Sequence, residues 1–193
     1  MNKKSIILIL IIVFIGKTQS QNTLKHFNIA AGVNLMSINS KTTTSSFDDE
    51  IAMNKIVVYE EARENNIHKI GYYLGLCYDN IAISEKIKIQ PEMRFVFVKD
   101  FNQLQIPITL NYEILKKFNL QTAPNFGFLL NNTENLNSLN FAIDFGASYA
   151  VLPNLLFEIR YNWGQTNLSK NETNTLKINN LQIGLVYKLK KNN

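Results

Sequence analysis

The stretch Leu155-Leu156-Phe157-Glu158-Ile159-Arg160-Tyr161-Asn162-Trp163 decides how this chain folds. In an extended strand successive side chains point to opposite faces. Leu155, Phe157, Ile159, Tyr161 and Trp163 then share one face, and Leu156, Glu158, Arg160 and Asn162 share the other. A helix would scatter these residues around its axis. An apolar, aromatic face backed by charges is what a strand needs when lipid covers one side and a polar interior the other.

Working outward, the same alternation recurs over 27–38, 69–80, 84–98, 103–113, 117–130, 138–151, 154–167 and 176–189. That predicts eight antiparallel strands. Connections after the even-numbered strands are short, at 81–83, 114–116 and 152–153. Those after the odd-numbered strands are longer or more polar, and the longest is 39–68. Short turns on one side and longer loops on the other are the habit of up-and-down transmembrane barrels. An even strand count puts both termini on the turn side. Closing the last strand on the first removes both edges, whose open N–H and C=O groups would cost several kcal/mol each in lipid. Eight strands enclose a lumen that side chains fill. The prediction is an all-β, eight-stranded antiparallel up-and-down transmembrane β-barrel.

The first twenty residues read as a cleavable signal. Met1-Asn2-Lys3-Lys4 precedes an apolar run from Ile6 to Ile15, and small residues stand near Ser20. The run is too short to span a bilayer as a helix. The expected mature domain is 21–193, exported to the cell outer membrane. The chain carries 20 Lys and Arg against 15 Asp and Glu. Removing Lys3, Lys4 and Lys17 leaves 17 basic residues, a balance that gives no support to nucleic-acid binding. Cys77 is the one cysteine, so no internal disulfide frame is expected.

A soluble ligand-binding barrel with its apolar face inward would show the same alternation. Two features favour the membrane. The apolar face stays aromatic along the strands at 117–167, and Tyr72, Tyr78, Tyr112, Tyr149, Tyr161 and Tyr187 lie on it, several near strand ends. Pro91, Pro107 and Pro124 fall inside strands. Proline lacks a ladder donor, so bulges or one-residue register shifts are expected there.

At those prolines the chain resembles the PorT-like outer-membrane β-barrel family of Bacteroidota, also described as the outer membrane protein beta-barrel domain family. The matching residues are Gln90-Pro91-Glu92, Leu104-Gln105-Ile106-Pro107, Ala123-Pro124 with Gly127, Arg160-Tyr161 before Gly164, and Ile183-Gly184-Leu185-Val186-Tyr187. The resemblance spans nearly all of 21–193. It implies an outer-membrane barrel without catalytic residues, and some members are linked to protein secretion. Such barrels usually end a strand on an aromatic residue where this chain reads Leu189.

Glu92 and Arg94 share the inward face of one strand, Glu158 and Arg160 that of another, and Asp144 points inward from a third. The expectation is a polar lumen network of Glu92, Arg94, Asp144, Glu158 and Arg160. A proton or ion path is the competing reading, but buried charges need partners and a narrow lumen is nearly full. His68, at the loop end near Thr42–Ser46 and Asp48-Asp49 in sequence, makes only a weak constellation for hydrolysis, and His26 precedes the first strand on the turn side. Asp48-Asp49-Glu50 reads as a solvated cluster, and no Cys/His spacing suits a metal. No cofactor and no enzyme activity are expected. The segment around 39–68, folded as a short helix or as extensions of its flanking strands, is the expected site for a protein partner. Membrane lipid is the other expected partner. The expected role is structural, adhesive or partner-binding, with a place in a secretion assembly as the alternative and a lipid- or peptide-hydrolysing enzyme at the rim as the third reading.

Overall fold

The computed structural model describes residues 27–47, 58–78, 81–131, 135–171 and 173–189, without the side chains of 43–47 and 58–62. The expected signal, His26 and Asp48-Asp49-Glu50 lie outside the described residues. The elements are β1 (Phe27–Phe47), β2 (Val58–Tyr78), β3 (Ile81–Ala82), β4 (Ile87–Phe97), β5 (Gln103–Leu115), β6 (Phe118–Leu129), β7 (Leu139–Leu152), β8 (Leu155–Gly164) and β9 (Asn174–Lys188). The two-residue β3 adds to the flank of β4 that β2 already lines. The wall therefore consists of eight long strands, and no described element is a helix.

Every pairing is antiparallel. The sheet runs β2-β1-β9-β8-β7-β6-β5-β4, and β2 pairs with β4 to close it. The first and last strands meet over Asn28↔Lys188 to Thr42↔Asn174. The chain is thus a closed eight-stranded antiparallel barrel.

Its faces are sorted inside out relative to a soluble protein. Along β8 the residues Phe157, Ile159, Tyr161 and Trp163 are exposed, while Glu158, Arg160 and Asn162 are buried. Ile70 and Tyr72 are 73% and 68% exposed, yet Arg94 is fully buried. A soluble barrel does not leave such a belt in water, and lipid is the solvent that suits it. Tyr112, Tyr149 and Tyr187 are exposed near the turn end, close to the two-residue turns or the last strand's terminus. Tyr78 packs edge-on to Phe27 at the same end, with ring centroids 5.5 Å apart.

Of the two forms expected for 39–68, a short helix or extensions of the flanking strands, the described part takes the second: 39–47 and 58–68 continue β1 and β2, paired from Asn39↔Asn66 to Phe47↔Val58, so both strands run past the bounds 27–38 and 69–80. One expectation needs correction, because the prolines leave the registers intact. Pro91↔Ile108 and Arg94↔Gln105 belong to one unshifted register, and so do Pro107↔Asn125 and Leu110↔Thr122. The ladder is merely interrupted at Glu92 and Met93 and, next door, at Ile108 and Thr109. The fixed φ of proline is compatible with a strand, so only the donor is lost. The register shifts sit elsewhere, between Glu113 and Leu115 and between Ala150 and Leu152, beside tight turns.

Candidate functional site

The sheet order explains why a few inward charges can meet. From β4 to β8 there are four steps through β5, β6 and β7, and four through β2, β1 and β9. The two strands face each other across the lumen. Glu92 and Arg94 come from β4, Glu158 and Arg160 from β8, and Asp144 from β7 beside it. All five are buried.

Glu92 and Glu158 each bridge both arginines. Arg94 Nη2 lies 2.6 Å from Glu92 Oε2 and 2.8 Å from Glu158 Oε1. Arg160 Nη2 lies 3.0 Å from Glu92 Oε1 and 3.1 Å from Glu158 Oε2. Asp144 completes the group, with Oδ2 3.5 Å from Arg160 Nη1. Thr109 from β5 donates to Glu92 Oε1 at 2.6 Å and accepts from Arg160 Nη1 at 3.3 Å. The arrangement spans the lumen like a strut.

Three runs of amides surround it, and each is oriented. Asn34 donates to Asn180, Asn180 to Asn162, and Asn162 to Asp144 Oδ1 at 2.6 Å. Gln121 donates to Asn111, Asn111 to Gln90, and Gln90 to Glu92 Oε1. From the other charge, Arg94 Nη1 donates to Gln182, Gln182 to Gln105, and Gln105 to Gln103. Amide dipoles thus give protons towards the carboxylates and accept them from the guanidinium. Hydrogen-bond chains of one direction reinforce one another in a low-dielectric interior. Three carboxylates face two guanidiniums, and the converging amides of Asn125 and Asn162 on Asp144 stabilise the extra negative charge.

Sequence reading named the charges but missed Tyr73, Thr109 and Gln182. The Tyr73 ring stands 5.1 Å from the Arg94 guanidinium carbon, a cation–π distance. It lies across the paired Gly32 and Gly184, where a Cβ on either glycine would strike backbone or the Tyr73 side chain. The signal was available: one aromatic residue on an inward face otherwise made of Gly71, Gly75 and Cys77. The apolar seal of the loop end was missed as well. Met36, Ile38, Val96, Val98, Leu168 and Ile178 are all buried in one cluster. All but Leu168 keep the inward parity of their strands, so polarity changes along the inner face as the loops are approached.

Leu168 reaches that cluster from the β8–β9 connection. Its amide donates to Leu176 O and its carbonyl accepts from Asn137 N, both at 2.8 Å. Asn167 Oδ1 receives the amides of Ser169 and Leu176. Among the other singled-out residues, Pro107 faces inward and Pro124 outward, and Cys77 is buried and reduced. His68 is exposed beside its ladder partner Ser37. The Ser37 hydroxyl donates to Asn39 Oδ1 at 3.1 Å and not to His68. Among the described residues no His, Cys, Asp and Glu group is arranged to hold a metal ion.

A closed eight-strand wall, an apolar exterior and a charge-filled lumen define the class: a transmembrane β-barrel. Solved structures of this architecture are similar to the chain at low identity. Neisserial surface protein A matches 83% of this chain and 99% of its own at 14% identity and a TM-score of 0.41. Ail, the attachment invasion locus protein of Yersinia pestis, covers 81% and 97% at 15% identity and 0.37. The outer membrane enzyme PagL covers 79% and 99% at 10% identity and 0.46. The likeness is one of strand architecture. No family model matches the chain, and no curated protein does. The resemblance to PorT-like barrels therefore stands on the motifs quoted above.

Proposed function

We propose that this chain is an exported outer-membrane barrel, non-enzymatic and non-conducting, that works by presenting its β1–β2 hairpin to a protein partner. The reading places the turn end in the periplasm and the loop end outside. The observation that carries it is the unequal height of the wall. Pairing of β1 with β9 stops at Thr42, and pairing of β2 with β4 reaches only Tyr72, while β1 and β2 stay paired to Phe47↔Val58. A two-stranded ribbon thus outruns its neighbours on a rigid, filled barrel. Surface elements held by a rigid scaffold are where recognition is commonly built.

The test is site-specific photocrosslinking in the native envelope from Asn65 or Asn66, exposed residues of the hairpin. Protein adducts are expected from these positions. They should vanish when 43–62 is replaced by a tight turn, with the folded barrel retained. An absence of adducts from the hairpin would reject the reading.

The quoted proline motifs support a second reading, a component of a secretion assembly. It predicts that deleting the chain halts export of secreted cargo and that the hairpin-shortened form restores it. A rim hydrolase has the least support, because the Ser37 hydroxyl is turned to Asn39 rather than to His68.

A further inference from the structure

The β1–β2 ribbon has an edge that no strand covers. β2 is laddered to β1 along its whole length, from Val58 to Tyr78, but to β4 only from Tyr72 to Cys77. Just above Tyr72, Lys69 Nζ donates to Lys99 O at 3.1 Å and to Asp100 Oδ2 at 2.9 Å, which ties β2 to the β4–β5 turn. From Val58 to His68 the far side of β2 has no ladder partner among the described residues.

The register tells which backbone groups lie on that side. The Leu189 amide donates to Phe27 O, so Phe27 turns its backbone groups to β9. Successive residues of an antiparallel strand bond to opposite sides, and neither ladder of β1 is shifted. Odd-numbered residues of β1 therefore bond β9, and even-numbered ones bond β2. The latter are laddered to Arg63, Asn65, Ile67 and Lys69. Glu60, Ala62, Glu64, Asn66 and His68, lying between, point N–H and C=O at the open edge. Such a row is a template for another strand, which proteins commonly guard with proline, a bulge, brevity or charge. The segment 58–68 has no proline, pairs without a shift and is long.

Charge is the remaining guard, and it is mostly of one sign. The segment carries Glu60, Glu61 and Glu64 against Arg63. Lys41 stands 3.7 Å from Glu64, whereas Glu60 and Glu61 are laddered to Ser45 and Thr44, which bring no cation. An acidic strand laid on this edge meets like charges, while a basic one gains cross-strand ion pairs. A second copy of β2 would bring the same acids.

We propose that the β2 edge over 58–68 binds an extended, basic polypeptide segment by strand addition. The segment's backbone bonds the edge N–H and C=O groups, and its lysines or arginines at alternate positions stand opposite Glu60 and Glu64. This rests on the hairpin being a recognition element, and it names the mode and the partner's chemistry.

The probe is a synthetic cyclic hairpin whose outer strand alternates Lys and Thr, pre-organised so that little ordering is lost on binding. It is titrated by fluorescence anisotropy into the full chain in phosphatidylcholine nanodiscs, which offer it no anionic lipid. Saturable binding is expected. N-methylation of the probe's outward amides should weaken it by about tenfold or more, and so should Glu in place of Lys. Asn66→Pro removes one edge donor and spares the β1 ladder, a place where proline is tolerated; it should weaken the probe by about tenfold, and Asn66→Ala should not. With the probe bound, amide exchange should slow at Glu64, Asn66 and His68 far more than at Arg63, Asn65 and Ile67. No saturable binding, equal affinity for the N-methylated probe, or equal slowing of both sets of amides would overturn the proposal. Envelope adducts from Asn65 or Asn66 without probe binding would reject strand addition alone and leave a partner docked on a ribbon face. Probe binding at the edge without envelope adducts would reject only the partner reading above.

Discussion

Glu92 and Glu158 each touch both arginines, so the charges of the lumen act as a unit rather than as two pairs. Removing one member leaves the rest buried and unbalanced. Arg160→Met should destabilise the folded barrel by roughly 3–5 kcal/mol, the usual penalty for breaking a buried pair from one side. Urea unfolding in lipid vesicles, read by the mobility shift on heating, measures it. Adding Glu158→Gln to Arg160→Met should recover part of the loss, because fewer carboxylates then lack a cation. Strictly additive losses would show that the strut is not coupled. Gly184→Ala tests the other close contact: its methyl would meet the Ala31 carbonyl and the Tyr73 hydroxyl, so a loss of at least about 1 kcal/mol is expected from overpacking. At this scale the sequence was informative in a limited way. The two-residue spacings of Glu92 with Arg94 and Glu158 with Arg160 place each pair on one inward face. Whether two such pairs stand at the same height depends on strand stagger, which no single strand encodes.

Among the elements, the strands were legible wherever side chains alternate between lipid and lumen, and their ends were not. Beyond Ile38 both faces of β1 become polar, as in Asn39-Ser40-Lys41-Thr42. A ribbon polar on both faces has no burial pattern to report, so the sequence left 39–68 open between a short helix and strand extensions, and only the pairing of 39–47 with 58–66 decides for the strands. The prolines misled for a related reason. Their missing donors suggested bulges, yet Pro91 and Pro107 lie in adjacent strands close to the same ladder gap, so the lost bonds are concentrated in one place. The connection carrying Leu168 is the element whose role emerges only from packing. Truncating Leu168→Ala leaves a cavity among Met36, Val96 and Ile178, with an expected cost of about 2–4 kcal/mol for a buried leucine. The loss should be local. Amide exchange should accelerate at Asn137 and Leu168, which depend on this loop's backbone bonds, while the amides of β6 and β7 near Asn125 stay protected.

For the whole molecule, the arrangement along the barrel axis decides whether anything passes. The loop end is closed by an apolar cluster and the middle by the charged strut, while the turn end is open. An ion entering the open turn end meets buried guanidiniums and carboxylates already satisfied by one another, and beyond them a largely apolar cluster that offers its hydration shell few polar partners. Losing that shell costs far more than thermal energy. The two barriers act in series, so breaching one leaves the other intact. The unaltered chain in planar bilayers should therefore show no steady conductance. Neither Leu168→Ser nor Arg160→Ser alone should open it, although each lowers stability. Combining Leu168→Ser with Arg160→Ser, and Met36→Ser to widen the loop end, should admit water and produce a small, ohmic current. A current from the unaltered chain would mean that the strut exchanges partners fast enough to pass ions, and would revive the proton or ion path. A current from Leu168→Ser alone would assign the closure to the plug and leave the strut a purely mechanical task.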